Sequence, residues 1–390
     1  MTPLALSRIE SEIKESPIRR ITALLAEAKQ KKEIISFGGG APSLAPPKEV
    51  TDAMISALKT DPFKACSYGS TKGSPSLRDK IAQDMAGRGV ELTREQINVT
   101  VGATGGIFLA LETLINPGDE IILADPTYVG YPGPGLMDRA KIVRVPVRWQ
   151  DDFQIFPDAL NEAVSKKTKA IVLLSPDNPT GRILDRKNVE GIVEIAQDND
   201  FWIISDETYQ DIIYEGKHTY VYPLAPDRTL VTCTFSKSAS MPGLRLGYMY
   251  GPEKTIEAAM KFDQYVSLAP NTLSQIGAEA FYSSKESYLK NTVLPTYRKK
   301  MEKMGQCLKK YLPGAGFTKP QAAFYYFVDM SNYTDDDEDF ANKLLEEKEV
   351  VLIPGKFFGE NGKKHERFTF VSETEERIEA GVQKIAEMVE

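Results

Sequence analysis

Lys237 stands in the run TFSKSASMPGLRLGY, where the apolar stretch LVTCTF carries Ser236 and Lys237 to a strand end and Arg245 follows eight residues later. An amine that forms a Schiff base must be partly desolvated so that it is not permanently protonated, and a strand end inside a crevice supplies such surroundings. Thr234 and Ser236 add hydroxyl donors, and Arg245 adds a two-pronged guanidinium suited to a phosphate. Taken alone, the segment reads equally well as a surface loop with a solvated lysine.

A second candidate is Asp206 in SDETYQ, again at the carboxyl end of an apolar run, FWIIS. A buried carboxylate there needs a cation, and the protonated ring nitrogen of pyridoxal phosphate is one that such an aspartate would hold. Tyr209, three residues on, can hydrogen-bond a ring oxygen. The competing reading of an isolated SDE is an aspartate capping the next helix. A third is SPDNPTGR after AIVLLS, a turn built on proline and glycine that holds Asn178, whose amide can donate to a ring oxygen. VTVGATGGIF runs from a short strand into a helix, and the turn at Ala103, Thr104 and Gly105 offers free backbone N–H groups to an anion, without the ending of a nucleotide-binding P-loop. Tyr128, in DPTYVGYP, can lie flat against an aromatic ring; by itself it is a core or turn tyrosine. The weight lies in conjunction, because Asn178, Asp206 and Lys237 each follow a strand-like run in an order that brings them to one crevice.

The elements that must position these groups follow from hydrophobic patterning. Helix-like periods alternate with the short apolar runs EIILA, KIVRVPV, AIVLLS, FWIIS and LVTCTF. Runs apolar on both faces predict a mainly parallel, doubly covered sheet, with ligands at the carboxyl ends of its strands. After Tyr250 come long helical segments, including the Lys-rich stretch from Tyr288 to Tyr311, and then AAFYYFVDM and RFTFV as strands. The acidic run TDDDEDF reads as a helix N-cap. The stretch from Ile9 to Lys31 reads as a charged amphipathic helix. The partition predicted is a segment 1–46 packing with the small domain, a large domain 47–285 and a small α+β domain 286–390.

Composition narrows the function. With 390 residues and 42% hydrophobic content the chain can bury a large core, and a net charge of −7 lacks the basic excess of a nucleic-acid or membrane surface. Cys66, Cys233 and Cys307 are scattered with no CxxC pair, which suggests neither disulfides nor zinc and predicts a reducing, cytoplasmic setting. The start MTPLALSRIESEIKESPIRRI is charged throughout, unlike a signal peptide. The only two histidines, His218 and His365, lie in polar stretches that read as exposed loops, so Lys, Asp and Tyr are left as proton handlers and no metal site is expected.

Together these motifs resemble the class I and II, aspartate-aminotransferase-like family of pyridoxal-phosphate enzymes across nearly the whole chain. The resemblance implies the fold of that family and pyridoxal 5'-phosphate as cofactor. It makes Lys237 the Schiff-base lysine, Asp206 the partner of the pyridine nitrogen, and Asn178 and Tyr209 the partners of the ring oxygen. Arg245, Thr234, Ser236 and the turn at Ala103, Thr104 and Gly105 become the phosphate cup, and Tyr128 the stacked aromatic. Tyr68, in CSYGSTKG, resembles the tyrosine that reaches the neighbouring subunit's phosphate, which implies a homodimer with shared sites. Arg367, in HERFTFV, matches the arginine that grips the substrate carboxylate, and Gly40, in FGGGAP, the glycine turn over the substrate. SPIRRI and ISFGGGAP look closer to the 2-aminoadipate and kynurenine aminotransferase branch, in which Arg19 would meet the substrate side chain. Two departures concern the substrate pocket: Gly-Ala-Pro replaces the usual Gly-Glu-Pro or Gly-Leu-Pro, and SLAPP lacks the familiar aromatic.

The activity implied is ping-pong transamination: an amino acid displaces Lys237, whose freed amine moves the α-proton, and a 2-oxo acid, 2-oxoglutarate by resemblance, then takes the amino group. A β-lyase, racemase or decarboxylase would use the same cofactor residues. A ligand-sensing module fused to a DNA-binding domain is the reading from another class. It is disfavoured because only about thirty-five residues precede the glycine turn, fewer than such a domain with its linker needs.

Overall fold

The computed structural model describes residues 33–137 and 140–389. The helix expected from Ile9 to Lys31, and Arg19 with it, lies outside the described residues. The strands are β1 (Ile35–Ser36), β2 (Ile97–Thr100), β3 (Glu120–Asp125), β4 (Lys141–Pro146), β5 (Thr168–Leu174), β6 (Trp202–Asp206), β7 (Thr229–Thr234), β8 (Gly247–Tyr250), β9 (Tyr325–Asp329), β10 (Val350–Val351), β11 (Ile353–Pro354) and β12 (His365–Thr369).

Strands β2 to β8 make one seven-stranded sheet in the order β2-β8-β7-β6-β5-β3-β4. It is parallel from β4 to β7, while β8 runs antiparallel to both β7 and β2. Alternation of side chains explains why the strand sequences are apolar throughout. Ile121, Leu123, Val172, Leu174 and Ile204 enter a core on one face with the helix Gly102–Leu114. Their neighbours Ile122, Ile171, Leu173 and Ile203 enter another core on the opposite face with the helix Arg186–Asp198. The antiparallel β8, GYMY, is absent from the sequence-based strands, since four residues with a leading glycine and two tyrosines carry little strand signal.

A three-stranded antiparallel sheet, β11-β12-β9, packs with the helices Leu294–Tyr311 and Glu375–Val389 around a separate core that includes Phe324, Tyr326, Phe368, Ile378 and Ile385. The short β1, at the predicted IISF, pairs in parallel with β10, so the segment that leads to the glycine turn is tied to this second body. The helical run Thr272–Tyr288 continues through a π-turn at Leu289–Val293 into Leu294–Tyr311, and residue 285 lies within it. Asp336, from the acidic run, caps the helix Asp337–Lys348 by accepting from the N–H groups of Glu338 and Asp339. Among the described residues no helix is long and apolar enough to cross a membrane.

The histidine reading needs correction. His218 is 4% exposed, with its ring edge-on to Tyr220 and its Nε2 3.7 Å from the buried Glu207 carboxylate. His365 opens β12, half-buried and stacked on Phe327. Flanking charges suggested solvent, but lysine and glutamate stems can point outward while the residue between them turns in.

Candidate active site

The parallel register brings the carboxyl ends of β5, β6 and β7 level, with Leu174 opposite Asp206 and Asp206 opposite Thr232. Residues that follow these ends line a cavity of about 580 Å³, together with Gly40, Tyr325 and Arg367.

Lys237 sits in a one-turn helix, Phe235–Ser238, that starts where β7 ends; the Thr234 hydroxyl caps it by accepting from Ser236 N–H at 3.1 Å. Its Nζ donates to the Gly40 carbonyl at 2.7 Å. Burial, then the like charges of Arg367 and Arg245, push the amine down to about 8 from the ordinary lysine value of 10.5. A lysine so placed is neutral often enough at physiological pH to act as a nucleophile.

Asp206 is buried at the end of β6. Its Oδ2 accepts from the Tyr131 hydroxyl at 2.8 Å and its Oδ1 from the Thr208 N–H at 3.0 Å. Burial still raises its pKa against these two bonds, and no cation lies within ion-pair distance of it among the described residues. Such a carboxyl is short of a positive partner on its cavity side.

Arg367, on β12, is the mirror case. It is 1% exposed, and its Nη1 donates to Asn178 Oδ1 at 3.0 Å and its Nη2 to the Gly38 carbonyl at 2.6 Å, while Nε has no partner among the described residues. Burial lowers the guanidinium from the ordinary arginine range, and only neutral groups hold it. Asn178 is set by the NPTG turn, in which Gly181 adopts φ +69°; a Cβ there would stand 2.7 Å from the Tyr325 carbonyl oxygen. With its oxygen given to Arg367, the Asn178 amide keeps two donors for another acceptor.

At the opposite end the helix Gly102–Leu114 begins without a side-chain cap, so its first N–H groups are free to meet an anion. Gly102, at φ +70°, lies so close to Arg245 that a Cβ would stand 2.7 Å from Nη2. Ala103, Thr104, Thr234, Ser236 and Arg245 line this end of the cavity, and Tyr128 lies along its wall, edge-on to Tyr131 at 5.3 Å. Of the other sequence-predicted residues, Gly105 packs against Val101 and Thr100 behind the turn, and Tyr68 is 86% exposed, away from the cavity of its own chain.

Three polar groups here escaped the sequence reading. Tyr131 and Thr208 both bond Asp206, and Tyr325 meets Tyr209 hydroxyl to hydroxyl at 2.6 Å. Tyr131 had a signal, since it lies three residues after Tyr128 in a stretch already singled out. Tyr325 had none that distinguished it from its aromatic neighbours in AAFYYFVDM.

The donor set fits one kind of group: a planar carbonyl compound with a basic ring nitrogen for Asp206, a ring oxygen for Asn178 and Tyr209, and a phosphate for Arg245 and the helix start. This is the architecture of a pyridoxal-phosphate enzyme on a doubly covered α/β sheet. The comparisons make the class specific. The family model for aminotransferase class I and II matches residues 32–385. The aspartate aminotransferase of Pyrococcus horikoshii is 34% identical over 371 residues, 94% of this chain and 93% of its own. The probable aspartate/prephenate aminotransferase of Aquifex aeolicus is 32% identical over 97% of both chains. Among solved structures, Thermus thermophilus aspartate aminotransferase with maleate superposes with a TM-score of 0.93 at 27% identity, covering 99% of this chain and 100% of that one. The chain belongs to the class I and II aminotransferases and is a pyridoxal 5'-phosphate-dependent enzyme that moves the amino group of an amino acid to a 2-oxo acid.

Proposed function

We propose that this aminotransferase works on dicarboxylic amino acids, aspartate first among them, with 2-oxoglutarate as the acceptor, and that it does so in the cytoplasm as a homodimer with shared sites. The carrying observation is Arg367: a guanidinium 1% exposed, across the cavity from Lys237 and held only by neutral oxygens, calls for an anion such as the α-carboxylate of a substrate. The relatives' names supply aspartate. The alternative leaning, toward 2-aminoadipate and kynurenine substrates, rests on Arg19 and the glycine turn.

When bound, pyridoxal phosphate supplies an aldehyde that condenses with amines and a protonated ring that draws electrons from the bonds around the α-carbon. Arg245, Thr234, Ser236 and the N–H groups at Ala103, Thr104 and Gly105 hold its phosphate in this reading. Asp206 would hold a proton at the ring nitrogen, Asn178 and Tyr209 would hold the ring oxygen, and Tyr128 would offer its ring as an aromatic wall. Arg367 fixes the substrate carboxylate and so orients the α-carbon. Lys237 Nζ, low in pKa and close by, takes the α-proton and carries it on. Gly40, whose carbonyl accepts from Lys237, lets the turn close over the substrate without a side chain. We take 47–285 as the cofactor domain and 286–390 as the small domain; for the described part of the N-terminal segment, from residue 33 on, the β1–β10 pairing supports packing on the latter.

Support for the dimer comes from large apolar side chains left exposed on two segments. Phe63, Tyr68, Tyr265 and Val266 are 83%, 86%, 93% and 61% exposed. The Thr272 hydroxyl bonds the Ser67 carbonyl, which joins the Tyr68 loop to the segment that follows Leu268. Large apolar side chains left this exposed are what a partner subunit would cover.

The test is Arg367→Gln. Loss of a buried, two-pronged charge pair with the substrate carboxylate costs about 2–4 kcal/mol, hence kcat/KM for aspartate falls roughly 30- to 1000-fold while the cofactor's absorption is retained. Equal loss for an amine without a carboxylate would refute the role of Arg367. Wild-type activity on 2-aminoadipate well above that on aspartate would move the substrate to the other branch.

A further inference from the structure

Tyr325 has no part in the scheme above, yet it touches three of its members. It lies at the start of β9, 1% exposed. Its hydroxyl is 2.6 Å from that of Tyr209, with the two rings edge-on at 5.9 Å. The Arg367 guanidinium carbon stands 4.6 Å from its ring centroid. On the other side, a Cβ on Gly40 would come within 2.5 Å of the Tyr325 oxygen, so the glycine turn rests against the same hydroxyl. One phenol on the small sheet thus joins the loop after β6, the glycine turn and the carboxylate-binding arginine.

We propose that Tyr325 is a positioning residue for the cofactor's ring oxygen: its hydroxyl donates to the Tyr209 oxygen and thereby commits the Tyr209 proton to that ring oxygen. This rests on the reading of Tyr209 as the ring-oxygen partner. A phenol has one proton to give and lone pairs to receive. With an anionic oxygen on the far side of Tyr209, the Tyr209 proton goes to the anion, and the Tyr209 lone pair is left for Tyr325. The stronger acid of the pair makes the better donor. Burial raises both phenols, and the Arg367 charge opposes it at both; at Tyr325, whose ring stands against the guanidinium, that charge is the largest influence after burial, whereas at Tyr209 it ranks lower. The chain Tyr325 to Tyr209 to ring oxygen is therefore polarised in one direction, and each bond strengthens the next.

A firmer hold by Tyr209 on the ring oxygen would leave less of that oxygen's charge for the proton at Lys237 Nζ. The pH at which the bound cofactor's visible band titrates is the readout. In the reconstituted holoenzyme, Tyr325→Phe keeps the ring, the packing and the contact with Arg367, and removes only the hydroxyl. The midpoint should rise, by roughly 2- to 10-fold in the acid dissociation constant, the worth of one net hydrogen bond. Tyr209→Phe should raise it further, and Tyr325→Phe should add nothing in the Tyr209→Phe background. A midpoint unmoved by Tyr325→Phe but raised by Tyr209→Phe, or shifts that simply add in the double variant, would overturn the inference and leave the Tyr209 reading standing. If Tyr209→Phe itself moves nothing, both fall.

Discussion

The depressed pKa of Lys237 can be measured without catalysis. An amine at about 8 is neutral in roughly one molecule in ten at pH 7, whereas an ordinary lysine at 10.5 is neutral in roughly one in three thousand, a ratio of ~300. Competitive labelling of the apoprotein with a small neutral acylating reagent between pH 6 and 11, read by mass spectrometry at each lysine, should give Lys237 a midpoint near 8 and surface lysines midpoints above 10. Arg367 is the largest cause after burial, so Arg367→Gln should raise the Lys237 midpoint, short of 10.5 because burial persists. The same shift bears on stability. Below about 8 the lysine is charged folded or unfolded; between about 8 and 10.5 the unfolded chain keeps the proton that the folded chain has lost. The unfolded state then binds more protons, so this group's contribution to apoprotein stability rises with pH across that window, by about 3 kcal/mol in all. A Lys237 midpoint above 10, or one that Arg367→Gln leaves in place, would refute an electrostatic origin for the reactivity of this amine.

Tyr131→Phe removes one of the two hydrogen bonds on Asp206, so the carboxyl, already raised by burial, should rise further and hold a ring proton less well. A bond to an ionised group is worth about 1.5–3 kcal/mol, and the expected result is a kcat lower by ~10-fold or more with cofactor released faster on dilution; unchanged release would show Thr208 N–H to suffice. For shared sites, refolding a mixture of Lys237→Ala and Tyr68→Ala chains should give activity above the mean of the parents, approaching a quarter of wild type, since half the dimers are mixed and each carries one intact site. Activity at the parental mean would place Tyr68 outside the partner's site.

Legibility in the sequence followed the kind of physics involved. The apolar runs EIILA, AIVLLS, FWIIS and LVTCTF could be read as strands of a covered sheet because burying both faces leaves no polar position, and β3, β5, β6 and β7 lie at those runs. Because ligands gather at the carboxyl ends of such strands, Asn178, Asp206 and Lys237 could be assigned to one crevice, and all three line one cavity. What stayed hidden depends on contacts between distant segments. Nothing in GYMY requires an antiparallel strand between β2 and β7. Nothing near His218 announces that Glu207, eleven residues earlier, is buried beside it. In AAFYYFVDM the alternation puts Tyr325 and Tyr326 on opposite faces without saying which face meets the cavity.

That last ambiguity bears on how the two sheets make one site. The large sheet supplies an amine, an acid and an anion cradle; the small sheet supplies Arg367 and Tyr325, whose ring and charge stack at 4.6 Å. Neither body holds a buried ion pair of its own across the cavity, for Asp206 and Arg367 both lack a partner of opposite charge among the described residues. On the proposed reading the two groups would be met by different molecules, Asp206 by the ring cation and Arg367 by the substrate carboxylate. An amino acid bound to the cofactor would therefore complete the electrostatics of both bodies at once, whereas a cofactor without substrate completes only one. Ligand binding that joins the bodies in this way should stabilise the holoenzyme beyond the apoprotein in two steps, the second dependent on Arg367, with the increments additive only if the two charges do not sense each other through Lys237.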